Sequence, residues 1–278
     1  MLAIRDIRRK IRSVRNIQQI CRAMKTISGI KLIRAEMRVN AARPYLEGLR
    51  AAVPAAAYEA DHPLTRQSAG RRMKTLGVIL ITGDKGLCGS CNINAIQAGM
   101  REAPAGEFVA LGRKGADFLR RRGAIVRMSQ APLGAEPRLR EAAALADAIA
   151  GLFLEERWDE VRLVYTPYTR GIRPRPQAVK FLPIAPGPPA FPIENVIFEP
   201  ERSVVLNLLL PRYLHTVLYT AMLESVASEH ASRVAAMALA TDNAEKVVNS
   251  LTLEFNKARQ DSITKELLDI VATAEAVR

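Results

Sequence analysis

Apolar residues near the start of the chain follow the spacing of a long helix with a continuous seam. Over positions 1–43 the intervals between them alternate between three and four residues, which is the spacing of a coiled coil. The seam comprises Ile4, Ile7, Ile11, Val14, Cys21, Leu32, Ala35 and Val39, and it is interrupted by Gln18, Lys25 and Ser28. Further apolar rows on adjacent faces comprise Ile17, Ile20, Met24, Ile27, Ile30 and Ile33. A helix with apolar residues on several faces needs more than one neighbour.

Pro44 predicts the end of this helix or a kink in it, because proline lacks the backbone donor that a helix interior needs. Residues 45–57 then fit one more amphipathic stretch, and the polar segment 60–72 fits a joint. Gly29 lies inside the helix, where glycine costs about 1 kcal/mol relative to alanine. This glycine therefore indicates a close approach of another helix or a flexible point.

The C-terminal segment 212–278 contains neither glycine nor proline, and its composition favours helix throughout. A first apolar seam comprises Ala244, Val248, Leu251, Phe255 and Ala258, and a second comprises Ile263, Leu267, Ile270, Ala274 and Val277. The change of phase between the two seams resembles a stutter. Two long helices at opposite ends of a chain can pair as an antiparallel coiled coil.

Strand-like and helix-like segments alternate between the two ends. The strand-like segments are TLGVILIT, EFVALG, AIVRMS, EVRLVYTPY and AVKFLPI, with helices near 92–101, over RKGADFLRRRG and across 137–156. This alternation predicts a Rossmann-like, mostly parallel α/β domain. The fold class is therefore α/β with a long α-helical coiled coil. Its domains are an N-terminal coiled-coil helix at 1–57, the central α/β domain at 74–200 and a C-terminal coiled-coil helix at 205–278, and the proline-rich segment 185–201 forms the return linker.

The charge of the chain indicates an acidic partner. Lysine and arginine number 41 against 28 acidic residues, for a formal net charge of +13. One face of the N-terminal helix is almost purely cationic, with Arg5, Arg8, Arg9, Lys10, Arg12, Arg15, Arg22, Lys25, Lys31, Arg34 and Arg38. Nucleic acid, an anionic membrane surface and an acidic protein all fit this charge. Aromatic residues make up only 5% of the chain, which disfavours stacking on single-stranded nucleic acid.

The glycine-rich segment GDKGLCGSCN, residues 83–92, fits three interpretations. A phosphate-binding loop is disfavoured, because the segment lacks both GxxxxGK[ST] and GxGxxG. A redox role for Cys88 and Cys91 would use a helix N-terminus to lower a thiol pKa. That role is disfavoured because the flanking residues of a thioredoxin-like site are missing. We favour a tight turn that needs small residues for packing.

The sequence predicts no catalytic residues, no cofactor and no metal. Ser228, Glu229 and His230 are adjacent, but neighbouring helical residues point in different directions and cannot form a nucleophile and base relay. Three cysteines and three histidines are too scattered for a zinc site or a disulfide framework, which indicates a reducing compartment. No apolar run reaches the roughly 18 residues of a membrane-spanning helix.

Three stretches together resemble one family, the gamma subunit of the rotary ATP synthase. They are IRDIRRKIRSVRNIQQICRAMKTISGIKL near the start, ITGDKGLCGSCN in the centre, and SEHASRVAAMALATDN with LTLEFNKARQDSITKELLDIVATAEA near the end. Gly86, Cys88 and Gly89 fit the family's turn, whereas Cys91 departs from it. The chain lacks the long insert with a regulatory cysteine pair that the chloroplast members carry, so thiol regulation is not expected.

The resemblance implies a rotor shaft that catalyses nothing itself. The coiled coil would be the axle inside a ring of alpha and beta subunits, and it would couple ion-driven rotation of the c-ring to nucleotide affinity at the beta subunits. The α/β domain would lie beside the epsilon subunit and on the c-ring. The implied location is the cytoplasmic face of the bacterial cell membrane, with membrane association only through the complex and no nucleic acid bound. The alternative is a basic coiled-coil protein that binds nucleic acid.

The resemblance also implies contacts with the beta subunit. Arg259 and Gln260, in NKARQ, match the family's polar contact with a catch loop, and Met24 with Lys25 matches the region that faces the beta-subunit levers. A solvated helix face remains the alternative for Arg259 and Gln260.

Overall fold

A computed structural model of the protein describes residues 2–58, 60–66, 75–104, 106–185, 187–188 and 196–276. The helices are α1 (Leu2–Ala57), α2 (Cys91–Glu102), α3 (Arg113–Arg121), α4 (Leu139–Leu154) and α5 (Arg202–Ala276). The strands are β1 (Leu76–Ile81), β2 (Glu107–Leu111), β3 (Ile125–Gln130), β4 (Glu160–Tyr165) and β5 (Gln177–Leu182). Each strand and helix predicted between the two long helices is present.

Helix α1 continues through Pro44 and Pro54 to Ala57, so of the two expectations for Pro44, an end of the helix or a kink in it, the first is wrong. Leu46, Leu49 and Val53 lie beyond this proline and are buried. Burying such side chains contributes about 1.5–3 kcal/mol each, which outweighs the cost of about 3 kcal/mol for one proline in a helix interior. At Gly29 the expectation of a close approach by another helix is not met, because a Cβ atom there would meet nothing within 4 Å. No close approach of another helix explains this glycine.

The chain forms two compact units. One combines the part of α1 up to Ser28 with the part of α5 from Val234 onward, and the other is Gly29–Arg233. We call them the helical unit and the α/β unit.

The α/β unit contains one five-stranded sheet in the order β3-β2-β1-β4-β5. Strands β3, β2, β1 and β4 are mutually parallel, and β5 runs antiparallel to β4. In the centre, Val78 of β1 lies opposite Phe108 of β2 and Arg162 of β4. The predicted Rossmann-like, mostly parallel sheet is therefore confirmed.

Successive residues of β1 point to opposite faces of the sheet, and helices cover both faces. Ile79 and Ile81 belong to a core that includes side chains of α1, α4 and α5, among them Val53, Ile149 and Leu214. Val78 and Leu80 belong to a second core, with Ala95, Ile96 and Ala98 of α2 and Ala116 and Leu119 of α3. Burial on both faces explains why β1 is a continuous apolar run.

Helices α1 and α5 run antiparallel within the α/β unit. Arg43 of α1 forms an ion pair with Glu224 of α5 at 2.9 Å. Closer to the end of α1, Arg202 Nε at the start of α5 donates a hydrogen bond to Ala56 O at 3.0 Å. Residue numbers therefore increase along α1 in the direction in which they decrease along α5, as in an antiparallel pair. Val39 and Leu218 lie on the buried sides of these helices, in the same core.

The two helices of the helical unit are also antiparallel. The Arg8 guanidinium lies above the Phe255 ring, 5.4 Å from its centroid. Met237 and Ala244 are buried, whereas Ile263 and Leu267 are exposed. If the helices were parallel, with Arg8 beside Phe255, the rest of α1 would lie along the residues after Phe255 and would cover those instead. The N-terminal seam is confirmed in this unit, because Ile7 and Cys21 are buried and Ile4, Ile11 and Val14 are half-buried.

A buried carboxylate joins three elements at one end of the α/β unit. Glu107 on β2 accepts hydrogen bonds from Arg127 on β3 at 2.6 Å and from Trp158 Nε1 at 2.9 Å. Arg157 adds a hydrogen bond at 3.3 Å. These donors, Arg127 foremost, lower the pKa of Glu107 to about 2.

We predict that Glu107→Gln lowers the free energy of unfolding by about 2–3 kcal/mol, because a neutral amide leaves two guanidinium groups without a counter-ion. The carboxylate's contribution is complete above its ordinary pKa of 4.5 and is lost as pH falls toward about 2. The variant should lack this part of the pH dependence. Urea denaturation followed by far-UV circular dichroism at several pH values measures both effects.

Glu155→Gln, at an exposed position after α4, is the control and should stay within about 0.5 kcal/mol of wild type. Equal stability of the two variants would contradict the prediction.

Candidate functional site

The turn between β1 and α2 is closed by one asparagine side chain. Asn92 Oδ1 accepts a hydrogen bond from Gly83 N at 2.8 Å, and Asn92 Nδ2 donates to Lys85 O at 3.1 Å. Leu87 and Gly89 adopt left-handed backbone conformations, with φ of 62° and 60°. This geometry supports the interpretation of the segment as a tight turn.

Asp84 ties this turn to the two loops that follow β2 and β3. Its carboxylate accepts hydrogen bonds from Arg113 N at 2.9 Å, Leu133 N at 3.0 Å and Gly134 N at 2.9 Å. In parallel sheets this edge is the usual place for a bound phosphate. Here Asp84 and Asn92 accept hydrogen bonds from four of the backbone donors around the turn. Sequence reasoning missed the role of Asp84, because its three partners are distant in sequence.

Helix α5 holds the outer side of the turn through a buried arginine. Arg233 Nε and Nη2 each lie 3.2 Å from Gly86 O, to which they donate hydrogen bonds. The same guanidinium forms an ion pair with Glu229, one helical turn earlier. A Cβ atom on Gly83 would lie 2.5 Å from the carboxyl carbon of Glu229. Glycine is therefore required at position 83 for close packing against this ion pair.

Ser228 points away from Glu229 and His230, which both lie beside Arg233. Ser228 Oγ donates a hydrogen bond to Pro167 O at 2.8 Å, whereas Glu229 pairs with Arg233. His230 Nδ1 lies 3.3 Å from Arg233 Nη1. Burial, together with the positive charge of Arg233, lowers the pKa of His230 to about 4, so the ring is neutral at pH 7. The three side chains therefore form no nucleophile and base relay.

The helical unit contains all four residues expected to contact a beta subunit. Lys25, Arg259 and Gln260 are exposed, and Met24 is half-buried. Because Arg8 faces Phe255 in an antiparallel pair, about 20 residues of helix, or about 30 Å, separate the level of Met24 from that of Arg259. The structure thus places the four residues in two pairs at different levels of the helical unit.

Large apolar residues remain exposed on the helical unit. On α1, Ile17, Ile20 and Ile27 are 52%, 59% and 55% exposed. Sequence reasoning identified these positions as apolar rows that need further neighbours. On α5 the exposed set comprises Leu239, Val247, Leu253, Ile263, Leu267, Leu268, Ile270 and Val271.

The second C-terminal seam is not covered by α1, although its spacing predicts a helix partner. Ile263, Leu267 and Ile270 are exposed, the Ala274 side chain and Val277 lie outside the described residues, and only the first seam from Ala244 to Ala258 is covered. In the register set by Arg8 and Phe255, Leu2 lies opposite about residue 261 of α5, so α5 extends past the start of α1. Apolar spacing predicts that a helix face packs against a partner, but it does not show whether that partner belongs to the same chain.

The cationic face predicted for α1 is also exposed in the helical unit. It comprises Arg5, Arg8, Arg9, Lys10, Arg12, Arg15, Arg22 and Lys25. Arg9 forms an ion pair with Asp6 at 3.2 Å, at the surface. Such an exposed pair contributes at most about 1 kcal/mol, so this face keeps most of its positive charge.

Neither a metal site nor a membrane-spanning helix is present in the described parts of the chain. No cluster of histidine, cysteine and acidic side chains there has the arrangement of a metal site. None of the described helices combines the length and apolar character needed to cross a bilayer.

Comparison with known proteins gives one consistent result. The sequence model of a family described as ATP synthase matches residues 3–277. The ATP synthase gamma chains of Moorella thermoacetica and Desulfitobacterium hafniense are each 40% identical to this chain, over 282 and 287 residues, with 100% of both sequences covered. These relatives give no support to the nucleic-acid-binding alternative.

Solved structures share the fold. A chain in the cryo-EM structure of the Euglena gracilis mitochondrial ATP synthase, described as OSCP/F1/c-ring in rotational state 3, aligns with a TM-score of 0.72 at 18% identity. The alignment covers 99% of this chain and 94% of that one. A chain in the rotor of the same enzyme in rotational state 1 aligns with a TM-score of 0.68 at 19% identity, covering 94% and 99%. At these identities the likeness shows the fold alone.

We predict that Gly83→Ala destabilises the protein by about 2–3 kcal/mol, because the new Cβ atom overlaps Glu229 and disturbs its buried ion pair with Arg233. Gly86→Ala is the matched control in the same turn, since a Cβ atom there meets nothing within 4 Å. Urea denaturation of the full chain measures both variants, and Gly86→Ala should stay within about 0.5 kcal/mol of wild type. A Gly83→Ala variant as stable as Gly86→Ala would show that the close packing at position 83 is not required.

Proposed function

The chain belongs to the ATP synthase gamma chain family, and we propose that it acts as the rotor shaft that couples ion-driven rotation of the c-ring to nucleotide affinity at the beta subunits. Membership makes it a non-catalytic subunit of the central stalk. The Euglena assembly that contains the matching chain also contains F1 and a c-ring. In this proposal the partners are the alpha and beta subunits, the epsilon subunit and the c-ring.

The observation that carries the proposal is the surface of the helical unit. Its internal seam is already covered, with Ile7, Cys21, Met237 and Ala244 buried. Other large apolar residues, among them Ile20 and Leu253, remain 59% and 73% exposed on the outside. Soluble proteins seldom expose contiguous apolar surface without a binding partner. A sleeve of other subunits around the unit would cover these residues on several sides.

The charge of the same unit supports protein partners of opposite sign. Arg5, Arg12, Arg15 and Arg22 are exposed along α1. Acidic levers on the beta subunits, which family resemblance implies, would neutralise such a row. Mixed apolar and cationic surface fits a protein sleeve better than phosphates, which would leave the isoleucines uncovered.

Coupling follows from the asymmetry of the shaft. A pair of helices presents a different surface in each direction, so three identical beta subunits around it make different contacts. The contacts change nucleotide affinity only if they stabilise one conformation of the beta subunit over another. The difference in binding free energy between beta subunits cannot exceed that difference in stabilisation. Rotation of the shaft would pass each beta subunit through the same series of affinities, and hydrolysis would drive the rotation backwards.

Within this proposal the two levels of the helical unit have separate partners. Exposed Arg259 and Gln260 would contact a catch loop of a beta subunit, and Met24 with Lys25 would face the levers. The α/β unit would lie beside the epsilon subunit and on the c-ring. The protein would be peripheral at the cytoplasmic face of the bacterial membrane, attached only through the complex.

We predict that Arg259→Ala combined with Gln260→Ala lowers multi-site ATP turnover about ten- to hundredfold. A charge-assisted hydrogen bond contributes about 1.5–3 kcal/mol, and each 1.4 kcal/mol changes a rate about tenfold. The chain is mixed with alpha and beta subunits and MgATP, and complex mass and ATPase rate are recorded together. Glu245→Ala with Lys246→Ala, an exposed charged pair on the same helix, is the matched control and should keep most activity.

Assembly of one chain with three alpha-beta pairs, and turnover that requires the chain, would support the shaft proposal. A chain that neither joins the ring nor changes its turnover would contradict it. A salt series of duplex DNA binding would then test the nucleic-acid alternative, since log affinity should fall linearly with log salt concentration.

Lys25→Glu should lower the turnover of the assembled complex, because it places a negative charge against acidic levers, and Lys25→Gln should have a smaller effect. Lys25 lies about 30 Å from Arg259 along the helices, and effects of distant, independent sites add as free energies. The fold-reductions of Lys25→Glu and of the Arg259 and Gln260 double variant should therefore multiply when combined. A triple variant no slower than the double variant would contradict two separate contacts.

A further inference from the structure

Cys88 and Cys91 lie side by side where the turn enters α2. Cys88 is 2% exposed, Cys91 is half-buried, and both are free thiols. Cys91 N donates a hydrogen bond to Cys88 O at 3.4 Å, so the two cysteines belong to the same turn. The sequence alone disfavours a redox role for this CxxC pair, whereas the fold places both cysteines in one turn at the start of α2.

The surroundings of the pair favour one negative charge. Cys91 is the first residue of α2, and a helix N-terminus stabilises a thiolate. Asn92 Nδ2 donates to Cys88 Sγ at 3.3 Å. The hydrogen bond from Cys91 is the main cause that lowers the pKa of Cys88 to about 7, against burial and the charge of Glu229. The same interaction and burial raise the pKa of Cys91, so the pair loses one proton as pH rises through about 7 and keeps the other.

Solvent reaches Cys91, the half-buried member of the pair, at the surface of the α/β unit. Gly86, Leu87, Gly89 and Ser90 around the two cysteines are exposed. The third cysteine, Cys21, is buried in the helical unit. Its thiol is therefore an internal reference for a buried cysteine without a neighbouring thiol.

We propose that Cys88 and Cys91 form a redox-active dithiol, which a low-molecular-weight disulfide oxidises to an intramolecular disulfide. This proposal does not depend on the rotor function. It assigns chemistry to a turn in which the side chains of Asp84 and Asn92 are engaged in hydrogen bonding.

The reaction balances as thiol–disulfide exchange. The Cys88 thiolate accepts the proton of Cys91, the more exposed thiol, as the Cys91 sulfur attacks one sulfur of the disulfide RSSR, which gives a mixed disulfide and releases RS⁻. Cys88 then passes its proton to RS⁻ and attacks the Cys91 sulfur, and the Cys88–Cys91 bond forms as the second RS⁻ leaves and takes a proton from water. Two protein thiols are oxidised, and RSSR is reduced to two thiols.

Oxidation of the two cysteines would change the turn between β1 and α2, which Arg233 of α5 contacts. Asn92 contacts Cys88 Sγ and also closes the turn through Gly83 and Lys85. Arg233 binds the same turn at Gly86 O. A disulfide removes the thiol that Asn92 contacts, and it fixes Cys88 relative to the first residue of α2.

The test exposes the reduced full-length chain to oxidised glutathione at pH 7. The remaining thiols are then alkylated under denaturing conditions, and the chain is digested with trypsin. Cleavage after Lys85 and Arg101 gives one peptide, residues 86–101, that carries both cysteines. We expect this peptide to become two hydrogens lighter, without alkylation, and to recover both thiols with dithiothreitol. Loss of these thiols should be about tenfold faster than loss of Cys21, because Cys91 is only half-buried whereas Cys21 is buried.

Three variants make the result specific. Cys21→Ser should still form the internal disulfide, and Cys88→Ser should accumulate glutathione on Cys91. Cys91→Ser should leave the buried Cys88 thiol slow to react. If Cys88→Ser fails to fold, as circular dichroism would show, wild type and Cys91→Ser still decide the question. A peptide 86–101 that carries two separate glutathione or alkyl groups, with no internal disulfide, would overturn the proposal.

Discussion

The rest of the structure depends on the antiparallel pairing of α1 with α5. Neither helix can bury its apolar residues alone, because each carries them along more than one face. In the helical unit the seam around Ile7 and Ala244 buries one side of each helix, and the contact of Arg8 with Phe255 sets the register. In the α/β unit the same two helices cover one face of the sheet, with Val53 and Leu214 in the core beside Ile79. The pairing therefore builds one unit and completes the core of the other.

Buried ion pairs fix the positions of loops in the α/β unit. Separating the partners of such a pair would leave a buried charge uncompensated. This cost keeps the paired side chains, and the loops that they contact, in place. Glu229 and Arg233 hold the turn after β1 through Gly86 O, and Glu107 joins β2 to Arg127 and Trp158. Asp84 extends this order to the loops after β2 and β3. These contacts supply packing and rigidity at an edge of the sheet where many α/β proteins bind ligands.

The helical unit is incomplete as a free protein. Its covered seam explains the pairing of the helices, yet exposed isoleucines and a row of arginines remain outside it. A protein sleeve satisfies both kinds of surface at once. The proposed rotor function gives this surface a purpose, because a shaft would contact several subunits in turn without binding any of them permanently. The dithiol at Cys88 and Cys91 lies in the other unit and needs none of these contacts.

Local patterns in the sequence determined the elements. Apolar spacing of three and four predicted both long helices, and short apolar runs predicted each strand, because burial imposes those periods on any sequence. The resemblance in three motifs supplied the family. Tertiary structure decided what depends on distant partners: that α1 passes Pro44, that the seam from Ile263 onward lacks a partner within the described chain, and that Asp84 binds three distant backbone donors. It also placed Cys88 and Cys91 in one turn, where a backbone hydrogen bond joins them. Such facts depend on which surfaces meet in space, and a period along the chain carries no information about that.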